Sequence, residues 1–134
     1  MTVIDASVYI ALVNEDEPGF AASWQWLLTV QSNRERLAAP VIMMAEAAAA
    51  ISRGKGDVVH ARRVIRRLQQ SRLIEFWPIS FELAERAAEI AAEHRIRGCD
   101  AVYVALAEQL GTDLVSLDQQ QLERGTAVIP TNHP

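Results

Sequence analysis

Two aspartates come directly after short apolar runs that have the length and composition of buried strands. Asp5 follows residues 3–4, and Asp118 follows residues 114–117. Ligands of an open parallel α/β sheet bind beyond the carboxyl ends of its strands, so we expect both carboxylates at that edge. Asp113 directly precedes the second run, and five residues at about 3.3 Å each place it roughly 16 Å from Asp118. We therefore exclude Asp113 from the site.

Two further carboxylates stand beside or within apolar segments. Glu46 interrupts residues 41–51, which are otherwise apolar on every side of a helix, and Asp100 precedes the apolar run 101–107. A helix that is apolar all round is normally buried, and an unpaired buried carboxylate is costly. Simpler roles stay open: Asp5 and Asp100 could cap helices, and Asp118 could be a turn residue. Glu46 could lie at an exposed edge or pair with an arginine.

Taken together, the four carboxylates suggest oxygen ligands for a hard cation. Mg²⁺ prefers carboxylate and water oxygens, and the small alanines beside Glu46 would leave room for a hydrated ion. Such an ion activates water and stabilises the charge that develops on a phosphodiester during hydrolysis. Without metal, the like charges repel one another. We therefore expect Asp100→Asn to be at least as stable as the wild type in EDTA.

The chain is long enough for one compact domain, which we assign to residues 1–134. It has 134 residues, half of them hydrophobic, enough to fill a core. Short apolar runs alternate with helical segments of ten or more residues, which predicts a three-layer α/β fold with parallel strands. The predicted strands are residues 2–4, 37–39, 74–77, 114–117 and 127–129.

Cysteine usage and hydropathy indicate the compartment. The single cysteine, Cys99, excludes an intramolecular disulfide and a multi-cysteine zinc site, and we expect it to be a small buried residue. A reducing, cytoplasmic setting is the simplest interpretation. No stretch reaches the ~18 consecutive apolar residues of a membrane span, so we expect a soluble protein.

The charge is unevenly distributed along the chain. The formal net charge of −4 would discourage a nucleic-acid partner, but residues 53–72 carry +6 and the remainder carries −10. Four arginines of that segment fall on one arc of a predicted helix: Arg62, Arg63, Arg66 and Arg67. This arc could contact RNA phosphates, contact an acidic protein partner, or simply be solvated.

Four motifs, in order, resemble those of PIN-domain proteins, specifically the VapC-type toxins of bacterial toxin–antitoxin pairs. They are VIDASVYIAL at residues 3–12, APV at residues 39–41 followed by Glu46, CDAVYVALA at residues 99–107, and LVSLD at residues 114–118. The resemblance implies a small three-layer α/β/α domain and a Mg²⁺-dependent (or Mn²⁺-dependent) endoribonuclease. It also implies a homodimer held inactive by a cognate antitoxin.

The resemblance assigns the acidic quartet, as catalytic and metal-binding residues, to Asp5, Glu46, Asp100 and Asp118. Ser7 and Ser116 are the candidates for hydrogen bonds that support the ligands. Ser116 stands where threonine is common in the family, and either residue offers a hydroxyl. The segment before Asp100, residues 97–99, has no distinctive pattern.

Two alternatives differ in function. One is a PIN-like RNA-binding or RNA-processing protein that is not a toxin. The other is a phospho-accepting receiver-type domain, which also uses acids at strand ends but needs a lysine near its last strands. The only lysine in the sequence is Lys55, which lies between two glycines far from those strands and counts against the receiver.

Overall fold

A parallel sheet flanked by helices organises the chain. The computed structural model describes residues 1–134 apart from the side chain of Lys55, and over these residues it forms five strands and seven helices. The strands are β1 (Thr2–Ile4), β2 (Leu37–Pro40), β3 (Ile74–Trp77), β4 (Leu114–Val115) and β5 (Thr131–Asn132). The helices are α1 (Ala6–Val13), α2 (Phe20–Ser32), α3 (Ile42–Lys55), α4 (Val58–Gln69), α5 (Phe81–His94), α6 (Gly98–Leu110) and α7 (Gln119–Gly125). The expected three-layer α/β/α architecture is confirmed.

The strand order is β3-β2-β1-β4-β5, with every neighbouring pair parallel. The central strand β1 pairs on both sides, because Val3 is in register with Ala38 of β2 and with Leu114 of β4. After β1 the chain adds β2 and β3 on one side of the sheet, and it then adds β4 and β5 on the other side of β1. The topological switch point therefore lies between β1 and β4, where α/β sheets bind ligands. A receiver-type sheet has the order 2-1-3-4-5, so the receiver alternative is excluded.

Helix α6 is the central helix of the domain. Its residues 101–107 are all buried, and α6 packs against β1, β2 and β4. This burial explains why the segment is apolar on every side. The helix ends at Gly111, whose φ of 61° belongs to the left-handed region that glycine enters without strain.

Polar side chains begin several of the helices. Asp57 accepts a hydrogen bond from the amide of His60 at the start of α4, and Ser80 accepts one from the amide of Leu83 at the start of α5. Each bond satisfies a backbone donor that has no partner inside the helix.

The last strand was wrongly placed by the sequence pattern. Residues 127–129 do not pair with β4, because the amides of Val128 and Ile129 both donate to the carbonyl oxygen of Gly125. This turn uses the backbone amides that a strand would need for pairing with β4, and β5 forms at Thr131–Asn132 instead.

Two expectations about helix surroundings also need correction. Helix α6 begins at Gly98, so Asp100 lies in its first turn and is not its N-cap. Helix α3 is not buried on every side, because Ala45 and Ala49 are exposed beside the partly buried Glu46. In the described part of the chain, no helix is sufficiently long and apolar to cross a membrane.

Candidate active site at the carboxyl edge of the sheet

The four predicted carboxylates line one open cavity of about 450 Å³. Asp5 lies between β1 and α1, Glu46 on α3, Asp100 in the first turn of α6, and Asp118 at the start of α7. The structure thus brings together residues that are up to 113 positions apart in the sequence. Asp113 lies at the amino end of β4, at the other edge of the sheet, as the sequence indicated.

Asp5 is the most deeply placed of the four and is fixed by two serine hydroxyls. Only 4% of the residue is exposed. Its Oδ2 accepts hydrogen bonds from the hydroxyl of Ser7 and from the hydroxyl of Ser116, the latter at 3.0 Å. Its carboxylate also accepts from the amide of Ser7, so Asp5 is the N-cap of α1 as well. The capping role and the site role are compatible, because capping leaves the other oxygen, Oδ1, free of the helix amides.

The same serines join β1 to the segment that follows β4. The Ser7 hydroxyl accepts a hydrogen bond from the amide of Leu117 at 3.0 Å, and the Ser116 hydroxyl accepts one from the amide of Asp118 at 2.9 Å. These bonds hold the Asp118 backbone against Asp5. The structure therefore places both predicted supporting serines in contact with the acidic site.

Gln121 is a site residue that the sequence did not reveal. Its side chain is fully buried, its Nε2 donates to Oδ1 of Asp5 at 3.4 Å, and its Oε1 has no hydrogen-bond partner in the structure. A buried amide oxygen without a partner is unusual and costs free energy. Gln121 lies in α7 within the run QQQ, where nothing in the sequence distinguishes it from its exposed neighbours.

Glu46 reaches the cavity from the far side and is held by Tyr103. The buried phenol of Tyr103, on α6, donates a hydrogen bond to Oε2 of Glu46. Burial raises the pKa of Glu46, and the negative charges of Asp5 and Asp100 raise it further, while the Tyr103 bond lowers it. Burial, and then the hydrogen bond to the Glu46 carboxyl, raise the pKa of the Tyr103 phenol, so the phenol keeps its proton and stays a donor.

The pKa of Asp5 is likewise subject to opposing effects. Burial raises the pKa of Asp5, and the nearby Asp100 charge adds to the increase, whereas the hydrogen bonds from Ser7 and Ser116 lower it. Two of the four carboxyl groups thus have a raised pKa at one cavity. Acids that are both desolvated and mutually repelling are typical of functional sites, because a bound cation removes the repulsion.

Arg97 is the second residue that the sequence did not reveal. Its Nε donates to Oδ2 of Asp100 at 2.7 Å, and its Nη2 donates to Oδ2 of Asp118 at 3.1 Å. These ion pairs raise the pKa of the guanidinium, the Asp100 bond contributing most. The bridge spans 21 residues to Asp118, so no local sequence pattern could have indicated it.

The residues present suit a hydrated divalent cation. The donors are carboxylate oxygens, which Mg²⁺ and Mn²⁺ prefer, and the cavity also has the small side chains of Ala45, Ala49 and Ala50 in its lining. In the described part of the chain, no three His, Cys, Asp or Glu side chains are arranged to hold an ion by themselves. Mg²⁺ commonly binds one or two carboxylates and keeps several waters, so direct ligation by three side chains is not required.

The remaining predicted residues lie outside the carboxylate cluster. Cys99 lines the cavity but is exposed, which corrects the expectation of a buried cysteine; the first turn of α6 turns it toward solvent. Partial burial and the charges of Glu46 and Asp100 raise its pKa, so its thiol remains protonated and is a poor nucleophile.

The arginine arc lies on α4 and all four of its members are exposed: Arg62, Arg63, Arg66 and Arg67.

Known proteins share this fold and its sequence pattern. The family model described as PIN domain matches residues 2–126. Among solved structures, the sarcin-ricin loop cleaving toxin VapC20 of Mycobacterium tuberculosis has a TM-score of 0.80 and 16% identity, with full coverage of both chains.

Two further solved structures have a similar fold. VapBC2 from Rickettsia felis, bound to a promoter DNA fragment, has a TM-score of 0.73 and 14% identity, covering 99% of this chain and 98% of its own. FitAcB from Neisseria gonorrhoeae has a TM-score of 0.71 and 18% identity, covering 100% and 98%. No significant match was found among curated protein sequences. At these identities the structures establish the fold.

Proposed function

The chain belongs to the PIN domain family, and from this premise we propose that it is a metal-dependent endoribonuclease and the toxin of a toxin–antitoxin pair. One observation carries the nuclease assignment: four carboxylates from four separate segments converge on one open cavity at the switch point of the sheet. Capping would explain Asp5 and Asp118 singly. It does not explain why Glu46 and Asp100 lie on other helices and line the same cavity.

The residues proposed to hold the ion, directly or through its bound waters, are Asp5, Glu46, Asp100 and Asp118, and the proposed cofactor is Mg²⁺, with Mn²⁺ as a substitute. When bound, such an ion supplies Lewis acidity to the phosphodiester and lowers the pKa of a bound water. The protein supplies orientation: Ser7 and Ser116 fix the Asp5 carboxylate, and Tyr103 fixes Glu46. Ser116 also holds the Asp118 amide, so a single hydroxyl positions two of the four acids.

The cations around the cavity support a polyanionic substrate. Arg53 and Arg97 line the cavity together with the acids, and the arginine arc of α4 adds four exposed charges on the helix that packs against α3. Guanidinium groups bind phosphate oxygens in bidentate geometry. We propose that the arc binds the RNA backbone. An acidic antitoxin segment is the competing occupant, and the salt dependence of RNA binding distinguishes the two.

The toxin assignment rests on relatives. VapC20, which has the same fold, is a toxin that cleaves the sarcin-ricin loop, and a toxin–antitoxin complex from Klebsiella pneumoniae has this fold too. We therefore propose a cognate antitoxin, a homodimer and a cytoplasmic location. The alternative, a PIN-like RNA-processing protein, predicts that overexpression leaves growth unaffected. The toxin assignment predicts growth arrest that Asp5→Asn relieves, and a small DNA-binding protein encoded next to the gene.

The direct test is RNA cleavage by purified protein with Mg²⁺, with Mn²⁺ and with EDTA. Asp5→Asn and Asp100→Asn should abolish cleavage while the circular dichroism spectrum stays that of the wild type. Asp113→Asn is the matched control, since this exposed aspartate lies at the opposite end of β4. Full cleavage by either site variant, or undiminished cleavage in EDTA, would refute the nuclease assignment.

A further inference from the structure

One guanidinium occupies the space between two of the four carboxylates. Arg97 donates from Nε to Asp100 at 2.7 Å and from Nη2 to Asp118 at 3.1 Å, so different nitrogens of the same planar group join the two acids. A positive charge placed between two acids neutralises part of their repulsion. The divalent ion proposed above would neutralise the same pair, so the guanidinium and the ion compete for it.

The backbone of Arg97 is anchored in α6, while its side chain is largely exposed to solvent. Arg97 is the N-cap of α6, and its carbonyl oxygen accepts a hydrogen bond from the amide of Ala101 at 2.9 Å. Its side chain is 68% exposed, whereas that of Asp100 is 9% exposed and that of Asp118 is 28% exposed. The acids are therefore fixed in the wall of the cavity, and the guanidinium reaches them from solvent. It can swing away through side-chain rotations alone, with no change in α6.

We propose that Arg97 is a built-in counter-ion that occupies part of the cation site and must leave Asp100 and Asp118 before a divalent ion binds there. Arg97 thereby sets the metal affinity of the protein. The inference depends on the proposed function, because it takes these two acids as metal ligands. A purely structural salt bridge makes a different prediction, because its loss would loosen the start of α6 and weaken metal binding.

The energetic consequence has a definite sign. Binding of the ion must break two charge-assisted hydrogen bonds in the wild type, and neither bond exists in Arg97→Gln. Such bonds are among the stronger ones in proteins even where solvent screens them. We expect Arg97→Gln to bind Mn²⁺ about tenfold more tightly than the wild type, allowing for the exposure of the side chain.

The experiment measures Mn²⁺ affinity by isothermal titration calorimetry and by the electron paramagnetic resonance signal of free Mn²⁺. The variants are Arg97→Gln, Arg97→Lys and the control Arg72→Gln. Arg72 is an exposed arginine that precedes β3, at the amino edge of the sheet, so its substitution changes the net charge equally and leaves the cavity intact. Arg97→Lys keeps the charge but lacks the planar fork, so we expect an intermediate affinity.

The outcomes separate this inference from the proposed function. Tighter Mn²⁺ binding by Arg97→Gln, with Arg72→Gln like the wild type, supports the counter-ion role. Equal or weaker binding by Arg97→Gln, while Asp5→Asn still reduces the affinity, overturns the counter-ion role and leaves the metal site standing. If Asp5→Asn changes the affinity neither in the wild type nor in Arg97→Gln, the ion is held elsewhere and both proposals fail. If Arg97→Gln does not fold, Arg97→Lys decides by the same criterion.

Discussion

The phenol of Tyr103 on α6 donates a hydrogen bond to Oε2 of Glu46 on α3, across 57 residues of sequence. The bond ties the most buried helix of the domain to the carboxylate that stands alone on its own helix. Tyr103 is itself fully buried, so its hydroxyl could not turn to water for a partner. This contact explains how a half-buried glutamate in an alanine-rich helix keeps one orientation.

Replacement of Tyr103 by Phe removes this bond and little else. We expect a loss of about 1.5–3 kcal/mol in the free energy of unfolding, the usual contribution of a hydrogen bond to a charged group. The pKa of Glu46 should rise further, because the Tyr103 bond lowers it. The acidic limb of the pH–rate profile for Mg²⁺-dependent cleavage should therefore move to higher pH. Tyr9→Phe, on α1, is the control, and an unshifted acidic limb would contradict the role given to Tyr103.

The stability of the metal-free protein should fall as the pH rises above the ordinary carboxyl range. The folded-state pKa values of Asp5 and Glu46 are raised from 3.8 and 4.5, so the folded protein holds protons that the unfolded chain releases. Their contribution is fully present below the ordinary values and is lost as the pH passes through the raised ones. Urea unfolding in EDTA between pH 4.5 and about 7.5 measures the slope, which Asp5→Asn should flatten and Asp113→Asn should not.

Another pair gives a dependence of the opposite sign in a different pH range. The bond from Arg86 lowers the pKa of Glu108 below 4.5, so that carboxylate stabilises the fold above 4.5 and loses its effect as the pH falls. The two ranges overlap only between pH 3.8 and 4.5, so the Asp5 and Glu46 effect is read above pH 4.5. If the free energy of unfolding in EDTA is constant above pH 4.5, burial and repulsion do not destabilise the charged forms of Asp5 and Glu46.

Arg97 changes which aspartate is best suited to the repulsion test. The sequence suggested Asp100→Asn as a variant at least as stable as the wild type in EDTA, because it removes one of several like charges. In the structure Asp100 is paired with Arg97, so that substitution also breaks an ion pair. The stability gained by removing a like charge and the stability lost with the ion pair oppose each other. Asp5 has serine and glutamine partners instead of an arginine, and its substitution isolates the effect of repulsion and burial.

Local sequence signals predicted the position of the acids but not their immediate partners. Alternating strands and helices place Asp5 and Asp118 at the carboxyl ends of β1 and β4, because that geometry follows from the order of the elements. Arg97 and Gln121 could not be found in this way. Arg97 is near Asp100 in sequence but reaches Asp118 across 21 residues, and Gln121 reaches Asp5 across 116. Each lies in a segment whose composition is ordinary for a helix start or a surface helix.

The misplaced last strand has a comparable cause. Residues 127–129 have the β-branched, apolar composition of a strand, and Ile129 is indeed buried. Burial, however, is satisfied by a turn as well as by a strand. The carbonyl of Gly125 accepts two amides from this segment, and the polar residues Thr131 and Asn132 take the place beside β4. Backbone pairing with β4, sixteen residues earlier in the chain, determines which residues form the last strand. The strand propensities of single residues do not encode such a long-range contact.

The Ser116 hydroxyl should contribute to both the stability and the metal affinity of the protein. It donates to Asp5 and accepts from the amide of Asp118, and Ser116 is fully buried. Ser116→Ala leaves that amide without its partner, so we expect a loss of about 1–3 kcal/mol in unfolding free energy and weaker Mn²⁺ binding. Ser116→Thr retains the hydroxyl and should keep the metal affinity near that of the wild type. Equal Mn²⁺ affinities for the Ala and Thr variants would contradict the positioning role.

The arginine arc on α4 should contribute to RNA affinity in a salt-dependent manner. Each phosphate contact releases counterions, so the logarithm of the binding constant falls with the logarithm of salt by about 0.7 per contact for single strands. In the Asp5→Asn background, which prevents cleavage, substitution of Arg62 and Arg66 by Gln should reduce this slope. The control substitutes Arg34 and Arg72, two exposed arginines at the amino edge of the sheet. An unchanged slope would assign the arc to the antitoxin or to solvent.

Gln121→Glu tests how much negative charge the buried side of the site tolerates. The substitution keeps the shape of the side chain and places a second carboxyl beside Oδ1 of Asp5, where Gln121 now donates at 3.4 Å with no exposure to solvent. An uncompensated buried charge costs about 3–5 kcal/mol, so we expect a loss of that order at pH 7 in EDTA. The deficit should shrink as the pH falls, because the new carboxyl has a raised pKa in the folded protein and takes up a proton there. Urea unfolding at pH 7 and at a lower pH measures the effect, with Gln121→Met as the neutral control whose smaller loss does not vary with pH. A Gln121→Glu protein as stable as the wild type at pH 7 would show that Asp5 is not confined as described.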